Sequence, residues 1–68
     1  MLLDHLAKAE RHVAIGERIL AREQARLEER RRQGRDVSET ERLLQSLEDM
    51  QQMHIEHRDQ IRREIEKS

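Results

Sequence analysis

Residues 34–38 read Gly-Arg-Asp-Val-Ser, and this short stretch decides the fold of the chain. It is the only convincing interruption in a run of helix-forming residues, and it lies at the midpoint of the 68 residues. Gly34 suits the left-handed conformation that commonly follows the last residue of a helix. The stretch therefore predicts that one helix ends, another begins, and the chain doubles back as an antiparallel two-helix hairpin.

Two alternative caps can start the second helix. Ser38 and Glu41 have the S-x-x-E spacing of a capping box, in which each side chain satisfies backbone donors at a helix start. Asp36 with Glu39 offers the same chemistry two residues earlier. The sequence thus predicts one all-α domain, 1–68, in three segments: helix 1 at about 2–32, a turn at about 33–38 and helix 2 at about 39–66.

The composition favours long helices and restricts the classes of function. Hydrophobic residues are 34% and charged residues 43% of the chain, a balance that on its own indicates disorder. Here the charges are mostly helix-forming Glu and Arg, and the apolar residues recur periodically, which favours helices instead. The net charge of −1 gives no electrostatic reason to expect nucleic acid or an anionic membrane as partner. With no cysteine, disulfides and thiolate sites are excluded.

The sequence predicts a cytoplasmic protein without a membrane partner. No apolar run approaches the roughly 20 residues of a membrane-spanning helix. The apolar residues 1–3 are followed at once by Asp4 and His5, so no signal-peptide core is expected.

Apolar residues recur at alternating steps of three and four, as in a coiled-coil seam. The predicted helix 1 seam comprises Leu2, Leu6, Ala9, Val13, Gly16, Leu20 and Leu27, widened by Ile15 and Ile19. The predicted helix 2 seam comprises Leu43, Leu47, Met50, His54, His57, Ile61 and Ile65, widened by Leu44, Met53 and Ile55. Antiparallel pairing then predicts these contacts: Leu27 with Leu43, Leu20 with Met50, and Gly16 with His54.

Each apolar arc spans close to half of its helix circumference, which is wider than a single partner helix can cover. We therefore expect a second copy to cover the remainder, so that two hairpins form a four-helix bundle around a two-fold axis. The alternative is a marginally stable monomer that leaves part of the arc in water.

Two groups of residues invite a chemical interpretation. His12, His54 and His57 are candidate metal ligands if the hairpin brings them together, or they form a pH-responsive seam without metal. The simpler interpretation is that they are seam or rim residues, and no cofactor is predicted. Arg30, Arg31, Arg32 and Arg35 make a basic tip that could bind phosphate. Neighbouring carboxylates and the absence of aromatic residues favour local ion pairs over nucleic-acid binding.

Several segments resemble very short helical proteins of alphaproteobacteria. The similar segments are HVAIGERI at 12–19, Gly34-x-Asp36, Glu41-Arg42-Leu43-Leu44 and His54-x-x-x-Arg58. The resemblance covers most of the chain and implies a small soluble helical hairpin with no assigned activity. It carries over no functional residue.

The predicted function is that of a non-enzymatic interaction or regulatory module that acts through self-association and its helical faces. Ser38 and Ser46 lack the partners of a catalytic triad, and there is no glycine-rich phosphate loop. A homodimer is expected, with room for a further protein partner. The alternatives are a nucleic-acid accessory protein that uses the arginine tip, and a metal-binding or pH-responsive bundle that uses the three histidines.

Overall fold

The computed structural model describes all 68 residues and contains two α-helices that pack against each other. Helix α1 spans Leu2–Arg32, as predicted, and α2 spans Ser38–Lys67, one residue longer at each end than predicted. The helices run in opposite directions, since Glu10 near the start of α1 lies 3.8 Å from Arg62 near the end of α2. The hairpin is a rod 54 Å long and 15 by 13 Å across.

The first helix ends in the way that Gly34 predicts. Gly34 has φ +71°, the left-handed conformation that L side chains rarely adopt. Its N–H donates to the Arg31 carbonyl at 3.0 Å, and the Arg35 N–H donates to the Arg30 carbonyl at 3.0 Å. These two bonds form a Schellman motif, which satisfies carbonyls that the helix end would leave unpaired.

The N-cap residue of α2 is Val37, whose side chain makes no cap bond, so the predicted capping box of Ser38 and Glu41 is wrong. Ser38 is already helical, and its N–H and hydroxyl both donate to Asp36 Oδ1, at 3.0 and 2.7 Å. The Glu41 carboxylate instead accepts from Arg31 at 3.3 Å. The predicted alternative, Asp36 with Glu39, is met in part: Asp36 lies one residue before the N-cap, and its carboxylate caps the first turn by accepting from Ser38. The bond from the Ser38 N–H, and then that from its hydroxyl, lowers the pKa of Asp36.

The Asp36 cap predicts unequal effects of two substitutions. Asp36→Ala should lower the melting temperature at pH 7 more than Ser38→Ala, because the first removes the acceptor of two bonds and the second removes only one donor. Because the folded-state pKa of Asp36 is depressed, its contribution is present above the unfolded value of about 3.9 and is lost as pH falls through the folded value. Melting curves of the parent and Asp36→Ala should therefore converge in strong acid. Equal losses for the two variants at pH 7 would contradict this cap.

The α1 side of the helix contact follows the predicted seam from Leu6 onward, whereas Leu2, the first predicted seam residue, is 36% exposed. Its buried or half-buried residues are Leu6, Ala9, Val13, Gly16, Leu20, Glu23, Leu27 and Arg30, again at alternating steps of three and four. Ala9 and Val13 are each 4% exposed, whereas Ile19 lies at the edge of the contact and is 36% exposed. The stripe also includes Glu23, a polar residue that the predicted seam omitted.

The α2 side of the contact keeps four of the seven predicted seam residues, Leu47, His54, Ile61 and Ile65, and differs by one position at the other three. The observed seam is Thr40, Leu44, Leu47, Gln51, His54, Arg58, Ile61 and Ile65. Leu43 is 48% exposed and Met50 is 54% exposed, so the predicted pairs Leu27–Leu43 and Leu20–Met50 are wrong. His57 is also exposed. At the three differing positions the structure places Leu44, Gln51 and Arg58 in the seam, and polar Gln51 lies at Gly16.

Substitutions of two adjacent leucines test which side of α2 faces α1. Leu44→Ala should reduce the free energy of unfolding by about 2–5 kcal/mol, because Leu44 is buried between the helices. Leu43→Ala should cost less than about 1 kcal/mol at concentrations low enough for single hairpins to dominate. Chemical denaturation followed by circular dichroism measures both. A larger loss at Leu43 would restore the phase that the apolar pattern predicts.

Candidate functional site: an apolar groove along one side of the hairpin

A groove runs along one side of the helix contact near the middle of the rod. Its volume is about 280 Å³. Eight residues line it: His12, Ile15, Gly16, Ile19, Leu47, Met50, Gln51 and His54. Its long sides are formed by Ile15 and Ile19 on α1 and by Met50 on α2, and all three side chains are at least one-third exposed. The site is therefore an open trough rather than a closed pocket.

The apolar surface continues beyond the groove along α2. Leu43 precedes Met50 by two helical turns, and Met53 follows it by three residues, so both lie on the same side of the helix. Leu43 is 48% exposed and Met53 is 69% exposed. We call the groove residues together with Leu43 and Met53 the groove face. An exposed apolar surface that both helices contribute to is a candidate binding surface.

The opposite side of the helix contact is polar. There Glu10 pairs with Arg62 at 3.8 Å and Arg31 with Glu41 at 3.3 Å, bridging the two helices. At 100° per residue, Glu10 and Ile19 point to opposite sides of the α1 seam. The hairpin therefore has one charged flank and one apolar flank, and only the apolar flank is suited to burial against a partner.

The floor of the groove is a glycine and a buried amide. Gln51 is 6% exposed, and its Nε2 donates to the Val13 carbonyl at 2.9 Å. Because that carbonyl can only accept, the bond fixes which end of the amide is the nitrogen. Gln51 Oε1 then lies over Gly16, where an added methyl carbon would overlap it and stand 2.7 Å from Cδ. Oε1 is buried without a donor. The predicted partner of Gly16, His54, is thus replaced by Gln51.

A double-mutant cycle tests whether Gln51 occupies the space that Gly16 leaves. In a Gln51→Ala background, Gly16→Ala should stabilise the hairpin by about 1 kcal/mol, the usual difference in helix propensity. In the parent, the same change displaces the Gln51 amide from Val13, and losing that bond should cancel most of the gain. The coupling energy should be about 1 kcal/mol. An equal stabilisation by alanine in both backgrounds would contradict the contact.

The structure brings two of the three candidate histidines together. The rings of His12 and His54 are 5.5 Å apart between centroids and tilted by 54°, at one end of the groove. His57 is exposed and does not line the groove. No cluster of three or more His, Cys, Asp or Glu side chains has the geometry to hold a metal ion. The condition for a three-histidine metal site is therefore not met, because His57 lies outside the observed α2 seam.

The arginine tip is largely engaged in local contacts. Three of its side chains have polar partners: Arg30 donates to Thr40 at 2.8 Å, Arg31 to Glu41 at 3.3 Å and Arg32 to Glu29 at 2.6 Å. Arg35 is exposed in the turn beside Asp36. Arginine side chains that already bond to neighbouring groups are less available to a phosphate, so this geometry favours local polar contacts over phosphate binding.

Two seam residues at or near the groove were not identified from sequence. Gln51 follows Leu47 by four residues, and Glu23 follows Leu20 by three, so both continue the three-four spacing. Both have a buried side-chain oxygen without a partner. Following the spacing without regard to polarity would have identified them.

No protein-family model, curated protein or solved structure matches the chain. The resemblance to short alphaproteobacterial proteins stays a prediction. Neither helix has the apolar length needed to cross a bilayer. What the molecule binds is therefore inferred from the chemistry of its own surface.

Proposed function

We propose that the protein is a non-enzymatic interaction module that self-associates through the groove face, with two hairpins forming a four-helix bundle. The exposed apolar groove face carries this proposal. Its residues come from both helices, and five of its large apolar side chains are at least one-third exposed. The expected compartment is the cytoplasm.

The small core of the single hairpin supports self-association. Only seven of 68 residues are buried, and two of these, Thr40 and Gln51, are polar. A domain of this size rarely gains enough apolar burial to offset the conformational entropy of its chain. Packing a second copy against the groove face adds Ile15, Ile19 and Met50 to a shared core. Association thus adds to the modest stability that the small core of one hairpin provides.

The chemistry of the groove favours binding over catalysis. Its polar side chains are two imidazoles and one amide, and the amide is already committed to the Val13 carbonyl. An open trough also offers little shelter from water for a reacting group. Apolar walls with a few polar groups suit a helical partner, as in helix-in-groove recognition.

The mass in solution tests the proposal. In dilute neutral buffer, light scattering should give about twice the chain mass of 8.2 kDa. Met50→Glu places a charge in the groove and should shift the mass to that of one chain, because burying an unpaired carboxylate is costly. Circular dichroism should show that the monomeric variant keeps much of its helical content.

Ala14→Glu is the matched control. Ala14 is exposed on α1 and does not line the groove, so its variant should keep the dimer mass. A fully helical parent with the mass of one chain would contradict the proposal. Equal dissociation by both variants would show that the groove face is not the contact surface.

A further inference from the structure

The groove face has a basic border on α1. Lys8, Arg11, Arg18 and Arg22 lie at steps of three, four or seven residues from Ile15, and so flank it along one side of the helix. All four are exposed, and none belongs to an ion pair in the hairpin. No acidic residue interrupts this border between positions 8 and 22, because Glu10 and Glu17 point toward the opposite flank. Four uncompensated positive charges therefore edge the groove.

The middle of the α2 border has the opposite sign: Asp49 and Glu56 form this acidic border, whereas Arg42 and Arg63 lie on the same edge one heptad nearer each end of the helix. Asp49 and Glu56 lie four residues before and three residues after Met53, on the outer edge of the groove face. Each accepts a hydrogen bond only from a glutamine on its own helix, Gln45 and Gln52 respectively. Neither carboxylate has a cationic partner within the hairpin.

Two hairpins can cover each other's groove around a two-fold axis in two ways. With the axis parallel to the helices, α1 of each copy lies beside α2 of the other. With the axis perpendicular to the helices, and the copies face to face, α1 lies beside α1 and α2 beside α2. The first arrangement brings the basic border against the acidic border. The second brings basic against basic, and like charges in register oppose association.

We propose that the groove face is occupied by a second copy whose two-fold axis runs parallel to the helices. This inference rests on the proposed self-association and assigns its geometry. In the resulting bundle every neighbouring pair of helices is antiparallel, and both arginine tips lie at the same end.

The heights of the charges along the rod agree with this geometry. A two-fold axis parallel to the helices leaves height unchanged, so residues that are level within one hairpin are level between copies. Gly16 and Gln51 are level within the hairpin and their numbers sum to 67. Arg18 with Asp49, and Arg11 with Glu56, give the same sum. Two of the four basic residues, Arg11 and Arg18, therefore meet an acidic residue of the partner at their own height.

Distances between spin labels at the ends of the rod test the arrangement. The chain has no cysteine, so Arg35→Cys labels the tip and Lys67→Cys the open end, each at an exposed position. Helices with side chains are about 10–12 Å in diameter, so parallel docking should place both label pairs within about 30 Å. Perpendicular docking with the rods fully overlapped separates like ends by about their 54 Å length.

The three outcomes of pulsed dipolar spectroscopy are distinct. Short distances at both sites support parallel docking. A long distance at either site overturns it while leaving self-association intact, since a shifted perpendicular dimer brings together at most one pair of ends. A signal without intermolecular distances overturns both the docking and the self-association.

Charge reversal gives an independent test, because the two docking arrangements predict opposite changes in the dimer dissociation constant. Under parallel docking, Arg18→Glu and Asp49→Arg should each raise the dimer dissociation constant by about two- to fivefold at low salt, and the combined variant should restore it. Under perpendicular docking, Arg18→Glu should tighten the dimer instead, because it relieves repulsion between basic borders. Glu48→Arg, on the other flank of α2, should have little effect and serves as the control.

Discussion

The Gln51 amide, held between Gly16 and the Val13 carbonyl, fixes how the two helices face each other. A pair of packed helices shares one narrow line of contact, so placing one side chain in that line determines which others join it. Gln51 brings Leu44 and Arg58, seven residues before and after it, into the same line. The same rotation moves Leu43 and Met50 out of the line and onto the groove face.

A polar residue in the seam therefore has a consequence for binding. Every apolar side chain displaced from the intramolecular contact becomes available to a partner. The hairpin keeps a small core of Ala9, Val13, Leu27, Leu44 and Ile61 and presents its remaining large apolar residues mainly on one flank. The other flank carries two ion pairs that bridge the helices. This division between a charged flank and an apolar flank makes self-association the function that the surface chemistry favours.

The hairpin and the α1 seam could be predicted from sequence, because glycine readily adopts the left-handed conformation that ends a helix, as Gly34 does, and because the α1 spacing is regular. The α2 seam could not be predicted fully, since two adjacent faces of the helix differ little in apolar content. Which face meets α1 depends on the contact between Gln51 and Val13, which are 38 residues apart in the sequence. Gly16 correctly indicated that a side chain of α2 packs closely against α1 at that position. The spacing of the seam could not show whether that side chain is the His54 imidazole or the Gln51 amide. The cap was ambiguous between Asp36 and Ser38 because both side chains can accept from the next helix. The groove depended on the α2 phase and was therefore beyond prediction.

The most direct test of the central claim is a search for contacts between copies on the groove face. A sample mixed from ¹³C-methyl-labelled and unlabelled chains allows isotope-filtered NMR to detect nuclear Overhauser effects between chains only. The account predicts intermolecular effects from the methyl groups of Ile15 and Ile19 to those of Met50 and Met53. Intermolecular effects confined to Ala7 and Ala14 on the other side of α1, or none at concentrations where a dimer mass is measured, would contradict it.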